Sequence, residues 1–311
     1  MVNDFIELTI NGEFVDIENI ISCSFDDSAG VKSDRVTLKM MPSFSRPAPS
    51  SKVELFFKTF KNKELLTELN AGLFHLQTVT RSDNKALTIT ATGVEFNAKQ
   101  KEKISHHYNE TKLSSVIDIV AKRLGHKVKF LLDDVAVKSL NQTNETDINF
   151  LDRLAKDYNA LFSIKNDFIY FINKDEDTLP VAKIDVSKCS SSSLKHSSKT
   201  FYKSCEASYH NVDTAKQTSV VVGDGEPLKK IHGAYKDEVD AKVKAEAHLK
   251  MINKGIVTGS FSLTGVNVYA GTKVELFNTY KGEDDGIYSV ENCKHSWSHT
   301  NGWMTSLNIE N

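Results

Sequence analysis

The sequence predicts a mainly β protein of the α+β class, with two β-rich parts bracketing a helix-containing module. Two observations predict this class. Apolar residues alternate with polar neighbours through residues 1 to about 100 and again after Gly255, and a period of two lines one face of a pleated strand. Between these parts, two segments switch to helical spacing, with Gly, Asn and Asp marking the boundaries.

Residues 1–103 read as the first β domain. Ile6, Leu8 and Ile10 alternate before an Asn11-Gly12 turn; Val36, Leu38 and Met40 alternate, as do Leu87, Ile89 and Ala91. SFDDSAGVKSDR is a polar, turn-prone connection, and PSFSRPAPSSK, with three of the five prolines, is an ordered loop, because proline interrupts sheet ladders. KVELFFKTF and the run from Ala71 to Phe96 add at least three strands, with Asp83-Asn84 as a tight turn. Six or more short strands without a helix fit a barrel or sandwich.

Residues 104–180 form the module. Leu113, Val116, Ile117, Val120, Ala121 and Leu124 fall at helical spacing, and Gly125 stops that helix. HKVKFLLDD reads as a strand. Asn144 is the expected N-cap of a second helix, with Asp147 in the reciprocal capping position and Phe150, Leu151, Leu154, Ala155 and Tyr158 as its stripe. Asn159 ends it, and LFSIKNDFIYFIN is a hairpin turning at Asn166-Asp167.

Residues 181–311 read as a second β domain carrying one helix at about 237–254. Val239, Val243, Ala247 and Met251 recur every four residues there and form its expected apolar stripe. The remaining strands include KTFYKSCEASYHNV and KQTSVVVGDGE, followed by a closing set from Gly255 onward with glycine turns.

Composition bounds the function. With 311 residues the chain has room for two or three domains of ~100–200 residues. It holds 39 Lys and Arg against 41 Asp and Glu, a net charge of −2, which argues against affinity driven by bulk phosphate attraction. No run reaches the ~18–20 apolar residues of a membrane span, so no membrane insertion is expected. The start, MVNDFIELTING, shows no basic leader with an apolar run, so synthesis and folding in a cytoplasm are expected. Cys23, Cys189, Cys205 and Cys293 lie far apart without a CxxC pair, and are expected to be free thiols rather than zinc ligands.

The residue types able to carry chemistry favour ordinary roles here. His106-His107 are adjacent and point to different sides, so they read as exposed linker histidines. His295 and His299 have metal spacing only on a helix, and their context is strand or turn. VVGDGEP lacks the Lys-Ser/Thr of a phosphate loop, and KGEDDG lacks the spaced acids of a calcium loop; both read as turns. Asp26-Asp27 and Asp133-Asp134 are adjacent acids, which is no evidence of a catalytic pair. The Ser-rich run at 187–199 reads as a loop or strand edge, and Trp297 and Trp303 as core or interface. No nucleophile, base and orienting group assemble, so no catalytic, metal or cofactor-binding residue is assigned and an enzyme is disfavoured.

The segment around the second helix, with TD at 146–147, FLDRLA at 150–155 and YNALF at 158–162, resembles the phage late control gene D protein family, the central hub of contractile-tail baseplates. Three further blocks share the resemblance in order: SFDDSAGVKSDRVTLKM, TKLSSVIDIVAKRLG, and the closing run from KAEAHLK to TSLNIE. It implies two tail-tube-like β-barrel domains in one chain, and a homotrimer whose six barrels match a threefold spike to a sixfold tube. The base of the VgrG spike in type VI secretion has the same layout. The implied partners are a separate spike protein, since the chain ends just after the closing block, with a tail tube or tube-initiator protein, a tape-measure protein and other baseplate proteins. The implied location is the tail baseplate of a virion or particle. No sequence-specific nucleic acid and no cofactor are implied. Two alternatives stand beside this: a tail-associated cell-wall hydrolase, and a surface- or glycan-binding β module using Trp297 and Trp303.

Overall fold

The computed structural model describes residues 2–30, 32–81, 85–94, 102–174, 180–198, 200–211, 216–233, 235 and 237–311. Seven strands come first: β1 (Val2–Ile10), β2 (Glu13–Phe14), β3 (Ile20–Ser28), β4 (Arg35–Met40), β5 (Lys52–Lys61), β6 (Glu64–Arg81) and β7 (Leu87–Thr92). The middle holds β8 (Lys103–Lys112), α1 (Leu113–Leu124), β9 (Lys127–Leu131), β10 (Ala136–Thr146), α2 (Asp147–Asp157), β11 (Ala160–Lys165) and β12 (Phe168–Asn173). Then follow β13 (Val181–Asp185), β14 (Ser191–His196), β15 (Ser204–Asn211), β16 (Lys216–Gly223), β17 (Leu228–His232), α3 (Glu238–Asn253), β18 (Val257–Thr264), β19 (Lys273–Phe277), β20 (Gly286–Ser298) and β21 (Gly302–Glu310). The protein is mainly β, as the alternation predicts.

One large sheet joins the two ends of the chain. Its order is β14-β18-β21-β20-β3-β4-β7-β6-β5-β1-β2, with β13 and β19 branching from β20. The long β20 is shared: its first residues, Gly286–Ser289, pair with β19, and Asn292–Ser298 pair with β3. A register irregularity between Val290 and Asn292 separates these halves in the β21 ladder, as a bulge does where a strand bends. The sheet also curls back on itself, because Asp4 of β1 meets the β20–β21 hairpin. The Trp303 backbone N–H donates to Asp4 Oδ2 at 3.0 Å, and Trp297 Nε1 donates to Asp4 O at 3.4 Å.

Alternation decides which residues this sheet buries. Val36, Leu38, Met40, Val53, Leu55 and Phe57 face one core, which Trp297 and Trp303 of the C-terminal hairpin complete. A second core, of Ile184, Phe261, Val274, Leu276, Leu307 and Ile309, lies under the other half. The proline-rich loop is ordered: Phe44 packs on the first core, and Arg81 donates to Pro42 O and Phe44 O.

The module has its own core, where α1 and α2 cover one face of the β11-β12-β9 sheet. Gly125 caps α1 with φ +82°, and the β11–β12 hairpin turns through Asn166 and Asp167, both at positive φ, as a tight two-residue turn requires. The N-cap of α2 is Thr146, whose hydroxyl accepts from the Asn149 N–H; Asn144 lies inside β10 with φ 49°. The expected box is therefore displaced by two residues. Asp147 is drawn away to Arg123 of α1, at 2.6 Å, where it also accepts from Gln142.

Residues of β15, β16 and β17 form a separate three-stranded sheet covered by α3. The stripe expected on α3 is buried only in part, at Val243 and Ala247. Ala241, Ala245 and Ala247 are buried, whereas Val239 is 66% and Met251 45% exposed. Small residues let the helix sit close to the sheet, and Val243 turns instead toward the module core. Periodicity alone weights large apolar residues and misses this contact.

Candidate functional site at a buried junction

The charged feature that ties these parts together lies where three of them meet. The β3 alternation points Cys23, Phe25 and Asp27 inward, so Asp27 occupies a position that would ordinarily be apolar, and it is 1% exposed. Lys165, the last residue of β11 before its turn, reaches across from the module. Its Nζ lies 2.5 Å from Asp27 Oδ1 and 3.5 Å from Asp34 Oδ2. Asp27 Oδ2 accepts from the Ala270 N–H at 2.9 Å, and Asp34 Oδ1 accepts from the Ser28 N–H at 3.2 Å. The Tyr269 ring stands 5.5 Å from Lys165 Nζ and its hydroxyl donates to Asn70 O.

Backbone contacts surround this ion cluster. Gly30 N–H donates to Phe162 O at 3.0 Å, and Leu73 N–H donates to Asn166 Oδ1 at 2.9 Å. Gly271, with φ +83°, lets the loop before β19 approach the module; a Cβ there would lie 2.4 Å from Leu161 Cδ1.

The electrostatics favour a clamp over a reactive centre. Burial opposes the Lys165 charge, but Asp27 and Asp34 outweigh it and hold the ammonium above the ordinary lysine range. Burial pushes Asp34 up to about 7; Lys165 pulls against this, and the Asp27 charge adds to it. Burial also drives the neighbouring Cys293 thiol well upward and lowers His295 to about 4. A firmly protonated lysine, a thiol and a neutral imidazole supply no activated nucleophile at neutral pH, and Asp34, the one group here that titrates near neutrality, is already engaged by Lys165 and the Ser28 N–H. Among the described residues, no three His, Cys, Asp or Glu side chains gather as metal ligands.

The residues weighed from the sequence are dispersed. His295 is fully buried, bonded to Thr305 Oγ1 and Val268 O, each at 3.0 Å, and stacked on Phe25; His299 bonds Ile20 O. His106 and His107 are exposed, but on β8 rather than in a linker, beside Tyr108 and Asn141 respectively. Asp26 faces solvent and pairs with Lys294, so the adjacent acids Asp26 and Asp27 divide between two faces. Asp134 caps α1 by accepting from the Ser114 N–H and hydroxyl.

KGEDDG folds as a turn in which Asp285 accepts from Thr279, and VVGDGEP turns with Gly223 and Gly225 at positive φ. The Ser-rich run supplies β14, at one end of the large sheet. Trp297 and Trp303 are 4% and 0% exposed, which removes the aromatic surface that suggested glycan binding. All four cysteines are free. The Asp83-Asn84 turn lies outside the described residues. Lys165 and Asp34 are not legible as partners, and Asp27 lies in the run SFDDSAGVKSDR, which reads as a connection although β3 continues through it to Ser28.

No family model matches the chain, and no curated protein matches it. Solved structures do. A tail protein from Neisseria meningitidis superposes with a TM-score of 0.73 at 10% identity, covering 99% of this chain and 97% of that one. A 43 kDa tail protein of a Shewanella oneidensis prophage gives 0.68 at 15% identity, covering 98% and 97%. An E. coli component of the type VI secretion system gives 0.58 at 10% identity, covering 97% of this chain and 76% of that one. At these identities the likeness is one of fold. Over nearly its whole length, the chain has the fold of phage tail proteins.

Proposed function

We propose that the chain is the structural hub of a contractile phage tail or phage-tail-like particle, three copies forming a pseudo-sixfold ring that joins a separate spike protein to the tail tube. The observation that carries this reading is β20, one strand whose two halves belong to two β units with separate cores. Two such units fixed in one chain supply the doubling that a threefold-to-sixfold adapter needs. In this reading 1–103 and 181–311 carry the two tube-like barrels, and 104–180 is the module clamped between them by Lys165. The fold likeness to tail and type VI proteins supports it. So does the near-neutral net charge, which spares a ring strong like-charge repulsion.

The particle baseplate is then its location, and the tube or tube-initiator, tape-measure and other baseplate proteins are its neighbours. Its role is geometric, not enzymatic. Light scattering of the chain with its spike protein tests the reading. The expected complex contains three copies of the 34.7 kDa chain. A chain that stays monomeric at high concentration and in the presence of spike contradicts it.

A further inference from the structure

A cleft of about 580 Å³ opens between α2, β17 and α3, away from the Lys165 junction. Its walls are unequal. On the α2 side the charges are already satisfied: Lys156 pairs with Asp152 at 2.6 Å, and Arg153 holds Glu145 at 2.6 Å while donating to Asn141 O. On the opposite side Lys244 of α3 pairs with Asp240 at 3.3 Å, but two nitrogens there are left over. Lys229 of β17 has no carboxylate partner among the described residues and lies over the Tyr202 ring. His248 of α3 lines the same cleft, with a buried Nε2 that has no hydrogen-bond partner among the described residues. A buried polar nitrogen left unpaired costs about 1–3 kcal/mol, so this wall is suited to an incoming acceptor. Ile231, Tyr235 and the exposed Met251 line the same cleft and offer apolar contact beside the two nitrogens.

We infer that this cleft is a binding site for a carboxylate carried on an apolar body, with Lys229 Nζ and His248 Nε2 as its donors. Two separate single-point donors match the two oxygens of a carboxylate. A phosphate is poorly served, because the one guanidinium fork in the cleft, that of Arg153, is already engaged by Glu145. The Asp152 and Asp157 carboxylates on the α2 wall orient the ligand by repelling its charge toward β17 and α3. Burial and the Lys229 charge hold His248 below the ordinary histidine range, and a bound carboxylate would reverse that shift. The site does not depend on the hub reading, since it uses only residues within one chain.

Histidine-ring NMR of the full chain, titrated with 4-phenylbutyrate, with a blocked Leu-Glu-Leu tripeptide and with inorganic phosphate, tests this. The expected result is a shift of the His248 ring signals and a rise in its apparent pKa with one or both carboxylates, the tripeptide arm distinguishing a peptide from a small-molecule source. Lys229→Met should weaken that binding at least about tenfold, the worth of one charge-assisted hydrogen bond. His248→Phe should do the same, which keeps the test open if one variant folds poorly. Lys230→Met, removing the neighbouring lysine that pairs with Glu206, should leave it unchanged. No His248 response to either carboxylate, tighter binding of phosphate, or equal loss in the Lys230 variant overturns the inference.

Discussion

Lys165 and Asp27 meet at 2.5 Å although they lie 138 positions apart in the chain, and the Asp27 carboxylate is wholly enclosed. The pair places the module against the sheet and aligns it with the Ala270 backbone at the same time. Removing one member of a buried pair strands the other charge, which costs more than the pair itself contributes. Lys165→Met should therefore lower unfolding stability by about 3–5 kcal/mol in urea titrations. Combining it with Asp27→Asn should recover a large part of that loss. A Lys165→Met loss below about 1 kcal/mol, or strict additivity in the double variant, would show that the cluster is not a clamp.

The two buried titrating groups near that clamp pull stability in opposite directions between about pH 4 and 7. His295 titrates at about 4 when folded, against about 6.5 unfolded, so its contribution is complete above 6.5 and lost as pH falls. Asp34 is raised to about 7 when folded, against about 3.9 unfolded. Its contribution is therefore present in acid and lost as pH rises through 7. Asp34→Asn removes the second effect while keeping an acceptor for the Ser28 N–H. Its stability should rise more steeply from pH 4 to 6.5 than that of the wild type, by denaturant midpoints at each pH. A shallower rise would contradict these assignments.

Trp303 rests directly on Gly265. The Gly265 N–H donates to Trp303 O at 2.8 Å, and a Cβ on the glycine would lie 2.1 Å from the indole Cδ2. The ring is fully buried between Phe57 and His295 and has nowhere to move. Gly265→Ala should cost about 1–3 kcal/mol or more through overpacking, with altered tryptophan fluorescence. Gly286→Ala, whose added carbon would meet only Tyr288 at 3.8 Å, should stay within about 0.5 kcal/mol of wild type. Equal effects at the two glycines would refute this packing.

Much of the fold is legible in local pattern, because alternation and helical spacing are properties of neighbouring residues. Val36, Leu38 and Met40 are all fully buried, Gly125 caps α1, and Asn166-Asp167 turns the hairpin. What the pattern leaves out is long-range. Nothing in Gly286–Ser298 announces that its second half pairs with Ile20–Ser28, and nothing near Lys165 names Asp27. The α2 cap slipped from Asn144 to Thr146 because Asp147 serves Arg123, a tertiary partner. The α3 stripe holds at Val243 and Ala247 but not at its ends, where Val239 and Met251 stay exposed while Ala241 and Ala245 pack on the sheet.

The hub reading makes one claim above the others: three copies of this chain sit as a ring between spike and tube. A low-resolution electron-microscopy reconstruction of the assembled particle, with the chain tagged for location, tests it most directly. The expected map shows three copies at the spike–tube junction, with six similar lobes facing the first tube ring. Label elsewhere on the particle, or a copy number other than three at that junction, contradicts it.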